Sequence, residues 1–254
     1  MALSHRQKLT ILLLLLYWPG VFVLAHIPIP QLVYKAQVSD KSLHFLAYLV
    51  LVFLLWFAIS PNKKVNWRKA AVWWVLFVVV WYGVVDEWLQ SYVGRTCDFT
   101  DFLADLAGTL AGLILFSFFT FWPVLLVVMG TTIFTLTNFT RANLADLVPI
   151  TNAMFHLFAY GFFTMLWIQN IHLFLPMKAP KPKWMITALA LPICFLLTVK
   201  LFSVIFGKDF VVQDVIISVV GITAVVATIY LIALFRPAPP RGGVRRGLTQ
   251  KLSP

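Results

Sequence analysis

The sequence predicts an all-helical, polytopic membrane bundle of about eight transmembrane helices, arranged as two related four-helix halves. Of its 254 residues, 61% are hydrophobic and only 11% are charged, and the mean hydropathy is +0.90. Soluble domains carry about 25% charged residues, so this composition excludes a large soluble domain. The apolar runs that reach bilayer-spanning length lie near 9–27, 43–60, 68–90, 99–119, 121–137, 152–174, 184–206 and 211–235.

The boundaries of most runs are marked by charged or proline-containing segments, but two elements are less distinct. The fourth and fifth runs meet near Thr120 without a charged loop between them. The first run has a basic start, a leucine run and a Val23-Leu24-Ala25 end, so it also resembles a signal peptide with a cleavage site. Cleavage there would not alter the orientation of the helices that follow.

The Lys and Arg residues predict the orientation. With a cytoplasmic amino terminus, the cytoplasmic segments hold fourteen of the 20 and the outer segments hold five, while Lys200 lies within the seventh run. This positive-inside bias predicts that both termini are cytoplasmic. The net charge of +11 then reflects topology and attraction to anionic lipid, and we expect no nucleic-acid partner. Residues 236–254 are predicted to be a disordered basic cytoplasmic tail.

In this orientation, all nine acidic residues lie in outer loops or at outer helix ends. Placing ionisable side chains in or near the hydrocarbon region of a bilayer costs free energy, so such a cluster predicts a functional site. Helical spacing places polar side chains on one face of each of three helices, where they can converge on an outward-opening pocket. The three faces are Asp40, His44 and Tyr48 in the second helix, Asp86 and Gln90 in the third, and Asp98, Asp101 and Asp105 in the fourth.

Two glycines continue the acidic face of the fourth helix. Gly108 and Gly112 follow Asp105 at helical spacing, and small residues in membrane helices let a neighbouring helix approach closely. The acids should therefore face the same neighbour as the glycines. Carboxylates packed this densely must pair with Lys41, Arg95 or protonated His44, hold a proton, or bind a cation. A salt-bridge network that only holds the loops is the alternative to a functional site.

The order and spacing of these residues resemble the VanZ-like membrane proteins, a family named after a protein linked to low-level teicoplanin resistance. The resemblance covers residues 1–119 and rests on three motifs. They are Asp40-Lys41-x-x-His44-Phe45-x-x-Tyr48, then Asp86-Glu87-x-x-Gln90, and finally Arg95-x-x-x-Phe99-x-Asp101-x-x-x-Asp105 with Gly108 and Gly112. It implies a role in the cell envelope of a bacterial plasma membrane and reduced teicoplanin sensitivity, but it supplies no catalytic mechanism.

A second copy of the pattern is predicted in residues 121–235. His156 and Tyr160 repeat His44 and Tyr48 about 112 residues later, and Asp209 and Asp214 follow at a similar offset from the acids of the first half. Four spans per half return the chain to the same side, which suits a parallel repeat. The second half lacks counterparts of the Asp86 motif and of Arg95, so we predict that it is degenerate.

Three functions remain open. The outer cluster binds the headgroup of a phospholipid or polyprenyl-linked envelope precursor, it catalyses a reaction on such a lipid, or it couples transport to protons or cations. The catalytic candidates are His44, Glu87 and Asp101. No organic cofactor is predicted, a divalent cation at the outer carboxylates is an open alternative, and the oligomeric state is not predicted. The predicted substrate-binding residues are Asp40, Lys41, His44, Tyr48, Asp86, Glu87, Gln90, Arg95, Asp98, Asp101 and Asp105.

Overall fold

The computed structural model describes residues 4–26, 40–61, 63–93, 98–139, 149–174 and 179–235, and all regular structure within these ranges is helical. The prediction of an all-helical membrane bundle is confirmed. Residues 236–254, the predicted tail, lie outside the described ranges. The α-helices are α1 (His5–His26), α2 (Asp40–Ile59), α3 (Ala70–Gln90), α4 (Phe99–Phe118), α5 (Phe121–Asn138), α6 (Pro149–Phe174), α7 (Pro182–Ile205) and α8 (Val212–Leu234).

Seven of these helices are long and apolar enough to cross a membrane, a count that covers the described residues. The remaining helix, α6, has 26 residues, which corresponds to about 39 Å and exceeds the hydrocarbon thickness of a bilayer. It carries the buried polar residues Asn152, His156 and Asn170. The indistinct joint near Thr120 is a break of two residues between α4 and α5.

The outward-facing surfaces are apolar, as a lipid environment requires. On α3, Trp73, Phe77, Trp81 and Trp88 are all more than half exposed, and their spacing of four and seven residues places them on one face. In water such a stripe would be an aggregation surface, whereas in a bilayer it contacts lipid. The opposite face of α3, including Asp86, is buried.

Helix α5 begins the predicted second half and also packs against the first. The Phe121 ring lies 5.5 Å from the Phe53 ring and 4.2 Å from the Phe57 ring, centroid to centroid, and so packs on α2. Further along the same helix, Ile133 belongs to the core that α5 forms with α6, α7 and α8. The relation between the two halves by an internal repeat stays a prediction.

Polar contacts show which helix ends lie together. Lys41 at the start of α2 pairs with Asp98 immediately before α4, and Lys200 near the end of α7 pairs with Asp214 at the start of α8. At the opposite end, the Asn170 side chain of α6 donates a hydrogen bond to the Trp122 carbonyl of α5. We call the end at which α2, α4, α6 and α8 begin the polar end.

The closest helix contact in the first half is between α2 and α4. Gly108 is buried against the α2 backbone, so a Cβ atom at this position would collide with the Phe45 carbonyl oxygen and lie 3.1 Å from the Leu49 nitrogen. In the second half, a Cβ atom on Gly221 of α8 would lie 2.5 Å from the Leu157 carbonyl oxygen of α6. In both halves a glycine therefore sets the distance between the packed helices.

We predict that Gly108→Ala separates α2 from α4 and lowers the free energy of unfolding by about 1–3 kcal/mol, the usual cost of overpacking. The clash is with backbone, so rotation of a side chain cannot relieve it. The measurement is thermal unfolding of the detergent-purified protein. Gly20→Ala is the matched control, because nothing lies within 4 Å of a Cβ atom there. Equal melting temperatures for the two variants would contradict the close packing of α2 on α4.

Candidate functional site at the polar end of the bundle

The exposed layer of the site is an ion-pair cluster between α2 and α4. The Lys41 ammonium lies 3.1 Å from Asp98 Oδ2 and 3.4 Å from Asp101 Oδ1. Lys41 and Asp98 are 54% and 41% exposed, whereas Asp101 is 9% exposed. The ammonium therefore sits at the boundary between solvent and the bundle, with one carboxylate on each side of that boundary.

Asp98 also begins α4. Its Oδ1 accepts a hydrogen bond of 2.8 Å from the Thr100 backbone N–H, which caps the helix. Hydrogen bonds from the Thr100 backbone and side chain, together with Lys41, lower the pKa of Asp98 to about 2, so this carboxylate is ionised at neutral pH. Its own backbone N–H donates to Glu87 Oε2 at 3.1 Å and thereby ties α4 to α3.

The buried layer lies beneath these groups and draws one residue from each of three helices. His44 Nδ1 of α2 lies 2.9 Å from Asp105 Oδ1 of α4, and Glu87 of α3 completes the group. Ligand atoms of His44, Glu87 and Asp105 lie within 4.8 Å of one another, and all three residues are buried. Asp105 lies six residues into α4, about 9 Å along the helix axis.

Several buried polar atoms in this layer lack a hydrogen-bond partner. They are Glu87 Oε1, Asp105 Oδ2 and the Tyr48 hydroxyl. Buried polar groups are nearly always paired, and an unpaired one costs about 1–3 kcal/mol, or more when it is charged. Unpaired buried atoms on three residues of this one layer are therefore costly for the protein alone. Their positions suit a bound group that supplies the missing partners.

Asp86 and Gln90 of α3 flank this layer. Gln90 Nε2 donates to Asp86 Oδ2 at 2.9 Å, as expected for residues one turn apart on the same helix face. His26, at the end of α1, brings its Nδ1 to 3.9 Å from Asp86 Oδ1. The sequence patterns did not single out His26, although it ends the first span, which runs from the opposite end of the bundle to the polar end.

Sequence reasoning also missed two residues of α3 that shape the site. A Cβ atom on Gly83 would lie 3.4 Å from both Asp105 Oδ2 and the Tyr48 hydroxyl, so this glycine borders the unpaired atoms directly. The Tyr82 ring stacks on Tyr48 at 5.8 Å between ring centroids and makes an edge contact with Trp18 at 5.4 Å. Their helical spacing could have indicated this, because Gly83 and Tyr82 precede Asp86 by about one turn and so lie on the same face of α3.

The polar cluster of the second half differs in having its carboxylate fully paired. Asp214 Oδ1 accepts a hydrogen bond from Asn152 at 2.8 Å, and Oδ2 contacts both Lys200 at 2.8 Å and His156 Nε2 at 3.3 Å. His156 Nδ1 also lies 3.2 Å from the Ser218 hydroxyl. This cluster is therefore a satisfied cross-link between α6, α7 and α8.

The sequence also predicts Asp209 and Tyr160 as second-half site residues. Asp209 is exposed in the segment between α7 and α8, whereas Asp214 is buried. Tyr160 is fully buried and stacks on His156 at 6.0 Å, with an unpaired hydroxyl. The sequence identifies Lys200 only as a cation within a span and does not reveal its partner, Asp214.

The structure thus brings most of the predicted first-half residues together. Arg95 lies outside the described residues, as does the side chain of Asp40, so their proposed roles stay predictions. Gly112 packs below Gly108, where a Cβ atom would lie 2.9 Å from Val52 Cγ1. The residues assembled at the polar end are Lys41, His44, Tyr48, Asp86, Glu87, Gln90, Asp98, Asp101 and Asp105.

Comparison with known proteins finds a family match over the part of the chain that carries this site. Residues 5–120 match the family model described as VanZ/LLP1. No curated protein and no solved structure matches the chain. The match spans α1 to α4 and contains all of the first-half residues assembled at the polar end. The resemblance found in the sequence is confirmed, and residues 5–120 form a VanZ-like segment of an integral membrane protein.

Proposed function

We propose that the polar end of the first half binds the headgroup of a lipid or of a lipid-linked cell-envelope precursor. The observation that carries this proposal is the presence of buried, unpaired acceptor atoms directly beneath an exposed ammonium. Lys41 suits a phosphate, while Glu87 Oε1 and Asp105 Oδ2 suit hydroxyl or amine donors of the headgroup. A phosphate with attached sugar or amine groups offers both kinds of partner.

The contrast between the two halves supports placing this function in the first half. Asp214 has partners on both oxygens, whereas Asp105 has a partner on one oxygen only. A carboxylate with partners on both oxygens gains little from a ligand, because every bond to the ligand would replace one that already exists. An unsatisfied network gains new bonds.

The distribution of Lys and Arg supports a site on the extracytoplasmic face of a bacterial plasma membrane. In the topology predicted from the sequence, fourteen of the 20 Lys and Arg residues fall in cytoplasmic segments and five in outer segments. A headgroup site on that face would change which lipid headgroups are accessible to the lipid-bearing drug teicoplanin at the outer surface. Lower teicoplanin sensitivity would follow from this binding.

An enzyme that uses the same residues is the second candidate. His44 Nδ1 lies 2.9 Å from Asp105 Oδ1, an arrangement in which a carboxylate orients an imidazole that acts as a general base. The substrate would be the same class of lipid, with Lys41 stabilising charge on the transferring group. Transport is not favoured by a specific contact among the described residues.

We expect Asp101→Asn to lose a lipid that co-purifies with the wild-type protein. Asp101 holds Lys41 from the buried side, and its loss should reduce occupancy roughly tenfold, equivalent to about 1.4 kcal/mol. The measurement is mass spectrometry of bound lipids at matched membrane abundance. In a bacterial host, the teicoplanin concentration that inhibits growth should fall in parallel.

The control for this experiment is His172→Gln, an exposed position at the end of α6 opposite the polar end. It should retain the wild-type lipid. Identical bulk lipid in wild type, Asp101→Asn and His172→Gln would contradict the headgroup proposal. That result would favour a charge network that only stabilises the fold.

His44→Gln separates binding from catalysis. If the protein is an enzyme, this variant should keep the co-purifying lipid and lose turnover by a factor of about 10²–10⁴, the usual contribution of a general base. The assay follows product formation from the lipid identified above, again with His172→Gln as the control. Unchanged turnover in His44→Gln would exclude His44 as the base.

The orientation can be tested by cysteine labelling in intact cells. In a cysteine-free background, Thr100→Cys at the polar end should react with a membrane-impermeant maleimide, and Lys64→Cys at the opposite end should not. Both positions are exposed, so burial does not decide the outcome. Labelling at residue 64 without labelling at residue 100 would reverse the proposed topology.

A further inference from the structure

The three residues of the buried layer have the composition of a metal site. His44 offers an imidazole nitrogen, and Glu87 and Asp105 each offer a carboxylate oxygen, with all these atoms within 4.8 Å of one another. A tetrahedral ion with bonds of about 2.0–2.1 Å separates its ligand atoms by about 3.4 Å. Small side-chain movements would close the present spacing, since each residue approaches from a different helix.

A second observation is independent of this spacing and points to a missing partner. Glu87 and Asp105 are 4% and 2% exposed, and in each residue one carboxylate oxygen has no hydrogen-bond partner. The remaining oxygens are positioned by the protein, through the Asp98 backbone N–H and through His44. Each carboxylate is thus held in place through one oxygen, and its other oxygen has no partner.

Electrostatics favour a cation at this point. Two carboxylates at low dielectric repel each other, and an ionised carboxylate that is buried without a counter-charge costs several kcal/mol. Lys41, the neighbouring ammonium, is already shared by Asp98 and Asp101. A doubly charged ion between Glu87 and Asp105 would balance both charges.

The donor set also restricts the metal. Imidazole suits Zn²⁺ and related transition ions, whereas Mg²⁺ and Ca²⁺ prefer oxygen ligands alone. Three protein ligands leave a fourth position for water or a ligand group, as in catalytic zinc sites.

We propose that His44, Glu87 and Asp105 bind one divalent transition-metal ion of the Zn²⁺ type in the buried layer of the polar end. This inference goes beyond headgroup binding, because it assigns Glu87 Oε1 and Asp105 Oδ2 to an ion. A headgroup would then contact Lys41 and the fourth position of the ion. The ion would satisfy the two unpaired carboxylate oxygens and connect α2, α3 and α4. His44 would then serve as a ligand.

The test uses tag-free, full-length protein that has been stripped with a chelator and reloaded with Zn²⁺. Elemental analysis should give about one zinc per chain, and Zn²⁺ should raise the melting temperature. Glu87→Gln should lose at least tenfold in zinc affinity, yet its amide oxygen can still accept the Asp98 N–H and so keep the fold. His172→Gln, the control, should bind zinc like the wild type.

In the zinc-binding assay, two results would overturn the proposal. The first is less than about 0.2 zinc per wild-type chain, and the second is equal zinc binding by wild type and Glu87→Gln, which would assign the ion to another site. If Glu87→Gln fails to fold, Co²⁺ loaded into the wild type decides instead. X-ray absorption should show one imidazole among otherwise oxygen ligands, and a spectrum without imidazole would exclude the site. Lipid identification provides a separate readout, so failure of this inference and failure of headgroup binding are distinguishable.

Discussion

The close contact between α2 and α4 determines the geometry of the polar end. Because Gly108 has no side chain, the two helices approach until the α4 surface touches the Phe45 carbonyl. One turn towards the polar end, this approach brings His44 to 2.9 Å from Asp105. At the helix start it brings Lys41 within reach of Asp98 and Asp101. Since α3 joins through Glu87 and the Asp98 backbone, the whole cluster depends on this one interhelical distance.

The two halves have similar helix contacts but different polar networks. A glycine on α8 packs against the α6 backbone as Gly108 packs against α2, and His156 faces α8 as His44 faces α4. In the second half, however, Ser218 contacts the histidine and Lys200 neutralises Asp214. The result is a closed network that stabilises packing. In the first half, Asp105 contacts the histidine through one oxygen, and its other oxygen remains unpaired.

Much of this arrangement could be predicted from the sequence, because a bilayer limits the alternatives. The lengths of the apolar runs predict the helices, and helical spacing predicts the face of α4 that carries Asp101, Asp105 and Gly108. The pairing of Lys200 with Asp214 could not be predicted, since these residues lie on different helices and no local pattern links them. Gly83 and Tyr82 were missed for a related reason: their role follows from the distance to Tyr48 and Asp105 across the bundle.

The direction of each helix has a further electrostatic consequence for the polar end. Helix α4 begins there, so the positive end of its macrodipole faces Asp98 and Asp101 and favours their negative charge. Helix α3 ends there, and the negative end of its macrodipole adds to the charge of Asp86 and Glu87. Carboxylates at one end of the bundle therefore experience opposite backbone fields. Those on α3 have the greater need of a compensating cation.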